Sequence, residues 1–119
     1  EEHATETEQH VANLEQVFEG LGLKARGVTC DAIIGILDEG KEIMSETEDA
    51  DARDAGMIAA AQAVEHYEIT RYGTLIAWAK ELGRSDCASV LQKNLDEEKA
   101  TDKKLTELAE SRVNLQAAE

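Results

Sequence analysis

The sequence predicts an all-α protein on three observations. It contains no proline. It is rich in Ala, Leu, Glu and Lys, all good helix formers, and its only aromatic residues are Phe18, Tyr67, Tyr72 and Trp78. Apolar residues recur at three- and four-residue spacing over long stretches. A length of 119 residues suits one domain over 1–119 with one core.

The spacing predicts four helices. The first runs from about Glu2 to Glu19 and carries acids but no Lys or Arg; "GLG" at Gly20 to Gly22 is its C-terminal stop. After the loop "LKARGVT", Thr29 or Cys30 opens the second, which runs to about Glu46 with Ile33, Leu37, Gly40 and Met44 on one stripe. "SETEDADARDAG" reads as an acidic turn in which Asp51 or Asp54 caps the third helix, placed from about Ala52 to Leu82. Gly83 closes that helix and Ser85 caps the fourth, from about Asp86 to Leu115. The last two span about 45 Å each at 1.5 Å per residue, and the tight turn between them makes an antiparallel hairpin.

Charge narrows the function classes. There are 26 acidic against 12 basic residues, a net charge of −14. DNA and RNA binding need a basic footprint, and anionic membrane surfaces repel such a chain. A cation is the natural partner of this field, although most of the acids are accounted for as solvated surface. No apolar run is long enough to span a bilayer. Cys30 and Cys87 do not form a CxxC pair and read as small buried residues of a reducing cytosol.

The stretch "AAAQAVEHYEITRYGTLIAWA" holds the chemistry. Its helical stripe is Ile58, Ala61, Glu65, Glu68, Tyr72, Leu75, Ala79, so two acids fall inside an apolar face. The fourth helix repeats the pattern with Leu91, Leu95, Glu98, Asp102, Leu105, Leu108. The first gives His3, Glu6, His10, Leu14, Val17, Leu21. In an antiparallel hairpin Glu65 and Glu98 fall at about the same height. Carboxylates meeting in a core repel and lose hydration, and stay ionised only around a positive charge. A metal ion supplies it, and helix bundles gather Glu and His from facing helices to hold two irons or manganeses. Carboxylate and imidazole donors suit Fe(II) and Mn(II), and the lack of thiolate donors argues against structural zinc. The plain alternative is that these acids sit on the shoulder of the stripe or pair with Arg71 and Lys99. His66 lies off the stripe. Tyr72 either hydrogen-bonds a ligand carboxylate or packs, and Trp78 packs.

"AAAQAVEHYEITRYGTL" and "LDEEKATDKKLTELA", with "HATETEQHVANLEQVFEGLGLKARGVTCDAI", resemble the YciE/YciF family of bacterial stress-associated ferritin-like proteins over nearly the whole chain. The resemblance implies a ferritin-like, rubrerythrin-like bundle, a cytoplasmic bacterial protein, a homodimer or higher homo-oligomer, and a two-metal carboxylate site. It carries Glu65 to the bridging glutamate of the third helix, Glu68 to the movable glutamate of rubrerythrins, Glu98 to the last-helix glutamate and Glu6 to that of the second. The chain departs where histidines are common: Thr101, followed by Asp102, stands after Glu98, and Gln9, followed by His10, stands after Glu6. The expected ligand set is therefore Glu6, His10, Glu65, Glu68, Glu98 and Asp102. The resemblance also implies that this chain is shortened at its N-terminus by one ligand-bearing helix, leaving an apolar stripe for a partner subunit to cover. Two functions follow as expectations. One is an iron or manganese protein that oxidises Fe(II) or reduces peroxide. The other is a non-enzymatic dimeric module with a vestigial site, favoured by Thr101 and Gln9.

Overall fold

The computed structural model describes residues 1–119 as helices α1 (Glu2–Gly20), α2 (Asp31–Glu46), α3 (Ala50–Glu81) and α4 (Ser85–Leu108), with no strand. A π-helical turn, Ala109–Val113, and a last short helix α5, Asn114–Ala117, continue α4. The all-α expectation holds, and no helix is long and apolar enough to cross a membrane.

Local chemistry sets the helix ends. Both α1 and α3 stop in the same hydrogen-bonded motif. Gly22 N–H donates to Glu19 O and Leu23 N–H to Phe18 O; Gly83 N–H donates to Lys80 O and Arg84 N–H to Ala79 O. Both glycines take φ +69°, a conformation that costs any residue with a Cβ. The acidic turn is shorter than expected. It is confined to residues 47–49, because Asp49 rather than Asp51 or Asp54 caps α3, its Oδ1 accepting the Ala52 N–H at 2.8 Å. α4 starts one residue early, at Ser85, where Arg84 grips Asp86 through Nη2 at 2.7 Å.

Contacts group into two compact units, and α3 and α4 run through both. The first unit holds α1 with the C-terminal half of α3 and the N-terminal half of α4. Its core is Tyr72, Ile76 and Ala79 against Cys87, Ala88, Leu91 and Leu95, with Leu14, Val17 and Ile69 packed at the margin. Arg84 also donates to Gly20 O at 2.9 Å, which ties the end of α1 to the α3–α4 turn.

The second unit holds α2, the N-terminal half of α3 and the C-terminal half of α4. α2 lies antiparallel to α3: Gly40 is apposed to Ala60 and Gly56 to Ile43. The Tyr67 hydroxyl, 3.1 Å from Cys30 Sγ, ties the start of α2 to α3. Neither cysteine is in a disulfide.

Four stripe residues turn outward. Leu37 and Met44 are about half exposed, because α2 packs through Ile33, Ile36, Gly40 and Ile43, a neighbouring phase of the same three-four repeat. On α3, Ile76 rather than Leu75 is buried. Leu108 is exposed while Ala109 and Val113, in the π-helical turn, are buried. A three-four repeat drifts around a long helix, so adjacent apolar residues compete for the core position.

Candidate metal centre

The first unit brings three helices to one polar layer. Tyr72 on α3 faces Asn94 on α4, with Asn94 Nδ2 3.3 Å from the phenolic oxygen. One turn further along each helix of the hairpin, Glu68 faces Glu98 and the two carboxyls share a hydrogen bond. α4 therefore meets α3 with Glu68 opposite Glu98, and Glu65 also brings a carboxyl oxygen within 4.8 Å of one from Glu98. α1 crosses antiparallel to α4, and Asn13 Nδ2 donates to Asn94 Oδ1 at 2.7 Å.

Glu65, Glu68 and Glu98 each offer a carboxylate oxygen within 4.8 Å of those of the other two, Glu65 standing a turn back from Glu68 on α3. Oxygens on opposite sides of a divalent cation, each at 2.0–2.6 Å from it, are about 4–5 Å apart, so the spacing fits such an ion. Glu65 and Glu98 are only 2% and 1% exposed, and Glu68 is half-buried. Burial first, then the hydrogen bond to Glu98 and that residue's negative charge, push the Glu68 carboxyl from 4.5 up to about 7, with His10 and His3 opposing. Burial and the facing carboxyl thus favour the protonated form of Glu68, and a cation can take the place of that proton.

His10 is buried on α1 and is spanned by carboxylates. Its Nδ1 lies 2.7 Å from Glu98 Oε1 and its Nε2 lies 2.7 Å from Glu97 Oε2. Both ring nitrogens are thus within hydrogen-bond reach of a carboxyl oxygen. In this arrangement His10 orients Glu98, and both of its nitrogens are engaged by carboxyls. The Tyr72 ring meets it edge-on, centroids 6.4 Å apart. Burial, with the charges of Glu68 and Glu98, pushes the Tyr72 phenol up against the opposing Asn94 hydrogen bond, so it stays protonated.

The expected ligands thus separate. Glu65, Glu68 and Glu98 gather in one cluster, and His10 stands behind Glu98. Glu6, partly buried on α1, has His3 Nδ1 3.4 Å away. Asp102 is engaged in the second unit: it accepts from Gln62 Nε2 at 3.2 Å and pairs with His66 Nε2 at 2.9 Å. Three residues of the layer carry no signature in the sequence: Asn13, Asn94 and Glu97. Asn94 was the most detectable, since it is a polar residue set between Leu91 and Leu95 and four before Glu98 on the inward stripe.

Comparison with known proteins places the chain in a family. A family model described as a domain of unknown function, DUF892, matches residues 1–118. Protein YciF of Escherichia coli (strain K12) is 46% identical over 116 residues, which cover 97% of this chain and 70% of YciF. The crystal structure of the E. coli stress protein YciF superposes with a TM-score of 0.88 at 46% identity, over 94% of this chain and 71% of that one. YcfI from Rhodopseudomonas palustris, to which a structural role has been attributed, superposes with a TM-score of 0.86 at 51% identity, over 88% of this chain and 67% of its own.

Proposed function

The chain belongs to the DUF892 family, and from that premise we propose that it is a divalent-cation protein of the stress response, with its centre on Glu65, Glu68 and Glu98. The observation that carries the reading is the cluster of Glu65, Glu68 and Glu98, whose carboxyl oxygens come within 4.8 Å of one another in a buried layer. Evolving two buried acids against each other costs stability unless a cation joins them. An all-carboxylate donor set suits hard cations, manganese among the redox-active ones, better than zinc, which takes mainly nitrogen and sulfur donors. Such a metal, when bound, supplies one-electron chemistry toward oxygen or peroxide.

The chain's own residues would do the rest. Glu68 gives up its proton to admit the cation. Glu98 is held in place by His10, whose ring is anchored on the other side by Glu97. Tyr72 and the apolar residues around it restrict water on the α1 side. Glu6 and Asp102 have other partners and would act only after repacking.

The test is metal content by plasma mass spectrometry after anaerobic loading of the full chain with Fe(II) or Mn(II), beside Glu68→Gln and Glu98→Gln. About one or two metals per chain, lost in both variants, is the expected result. Equal and negligible content in all three would overturn the reading.

A second reading has its own support. His10 already engages Glu97 and Glu98 at 2.7 Å each without a metal, as a structural module would require. Under either reading we place the protein in the cytoplasm as a homodimer. The support for the dimer is Leu75, Trp78 and Leu82, exposed by 40%, 61% and 79% along one side of the α3 end. Light scattering behind size exclusion tests it: a dimer that dissociates in Trp78→Glu is expected, and a wild-type monomer at micromolar concentration would refute it.

A further inference from the structure

Asn94 is fully buried, at 0% exposure, in the middle of α4. A polar side chain there persists only if its hydrogen-bonding groups are matched. Its amide nitrogen lies 3.3 Å from His10 O and 3.3 Å from the Tyr72 hydroxyl; its oxygen accepts from Asn13 Nδ2 at 2.7 Å. The backbone carbonyl can only accept, which fixes which end of the Asn94 amide is nitrogen and leaves the oxygen for Asn13. Asn94 therefore reads two points on α1, the backbone of residue 10 and the side chain of residue 13, and one on α3.

Those contacts set the height of α1. Residues 10 and 13 are one turn apart on the same face, and a slide of α1 by one residue moves His10 by 1.5 Å along the axis and rotates it by about 100°. Either displacement breaks a pair of 2.7 Å hydrogen bonds to Glu97 and Glu98. Apolar contacts of Leu14 and Val17 do not discriminate registers so sharply, because they lack direction. A single buried asparagine fixing helix register is the best-attested use of such a group.

We infer that Asn94 is a positioning residue: through Asn13 and the carbonyl of His10 it holds α1 in the one register that places the His10 ring between Glu97 and Glu98. Its consequence for cation uptake rests on the function proposed above; its consequence for His10 does not. The protein then carries a chain of control from Asn94 to His10 to the orientation of Glu98, and from there to Glu68.

The test separates the two. In the metal-free, nitrogen-15-labelled full chain, a His10 ring N–H proton held by a carboxyl should exchange slowly with water, its assignment made by its loss in His10→Gln. Asn13→Leu with Asn94→Leu replaces the amide pair by apolar groups of similar size, which keeps burial satisfied. The expected result is a cooperatively folded helical protein in which the protected ring signal is lost and Mn(II) binds about tenfold more weakly or worse. Asn94→Ala, which cannot overpack, is expected to lose the signal as well and serves if the double variant does not fold. A folded variant with a changed melting temperature but the ring signal intact would overturn the inference, since that is what a purely structural role produces. Loss of the signal in a protein whose wild type takes up no cation would remove the metal reading and uphold the positioning role.

Discussion

At the scale of single residues, Glu68 governs the pH response. Its carboxyl sits at about 7 in the fold against 4.5 as a free side chain. Between those values the folded chain binds a proton that the unfolded chain has lost, so stability falls as pH rises through this window. An unscreened shift of this size corresponds to roughly 3 kcal/mol, and for a half-buried group in contact with water about 1 kcal/mol is the expected share. Thermal melts of the metal-free protein at pH 5 and pH 8 should therefore lose about 1 kcal/mol more in the wild type than in Glu68→Gln. Equal losses would show that the proton is not held there. The cation competes with the same proton, so Mn(II) affinity should rise up to about tenfold per pH unit below 7 and level off above it. The acids of this site were legible as residues: Glu65, Glu68 and Glu98 stand out as carboxylates on apolar stripes. Their joint placement was not, because the hairpin height that brings Glu68 opposite Glu98, with Glu65 within 4.8 Å of both, is set by packing.

At the scale of elements, the glycines of α3 make opposite predictions. A methyl group on Gly56 would stand 2.7 Å from Ile43 Cγ2, whereas one on Gly73 meets nothing within 4 Å. Helix propensity favours alanine by about 1 kcal/mol at both. At Gly73 that gain stands alone, so Gly73→Ala should stabilise by roughly 0.5–1 kcal/mol. At Gly56 overpacking costs about 1–3 kcal/mol, which outweighs propensity, and Gly56→Ala should destabilise. Ile43→Ala in the same chain should relieve the clash. Chemical denaturation of the three variants reads all three signs, and a stabilised Gly56→Ala would mean that α2 is not seated on α3 at Gly56. The helices themselves, their glycine stops and the α3–α4 hairpin were readable from periodicity and breakers. The phase of α2 was not: Ile33, Ile36, Leu37, Gly40, Ile43 and Met44 form one broad apolar arc, and only packing on α3 selects which half of it is covered.

At the scale of the whole molecule, charge is the dominant field. A net −14 on 119 residues opposes compaction through self-repulsion. Raising monovalent salt from about 10 mM to 150 mM shortens the screening length from roughly 30 Å to 8 Å and should raise the melting temperature. No rise would mean that the acids are already neutralised in place. A bound divalent cation acts on top of this: at 100 times its Kd it should add about 2.7 kcal/mol, reversed by chelator, with little effect in Glu98→Gln.

The sequence by itself determined the class of the molecule and the places where its chemistry is possible. An absence of proline, a surplus of helix formers, "GLG" and "ELG" stops and acids on apolar stripes are local properties, readable from spacing alone. Tertiary structure decided how those places are used. It set Glu68 against Glu98, gave both nitrogens of His10 to Glu97 and Glu98, engaged Asp102 with Gln62 and His66, and buried Asn94 as the joint between three helices. Helix periodicity specifies a face to within a turn. Hydrogen bonds in a buried layer discriminate at tenths of an ångström, and only the packed helices supply that resolution.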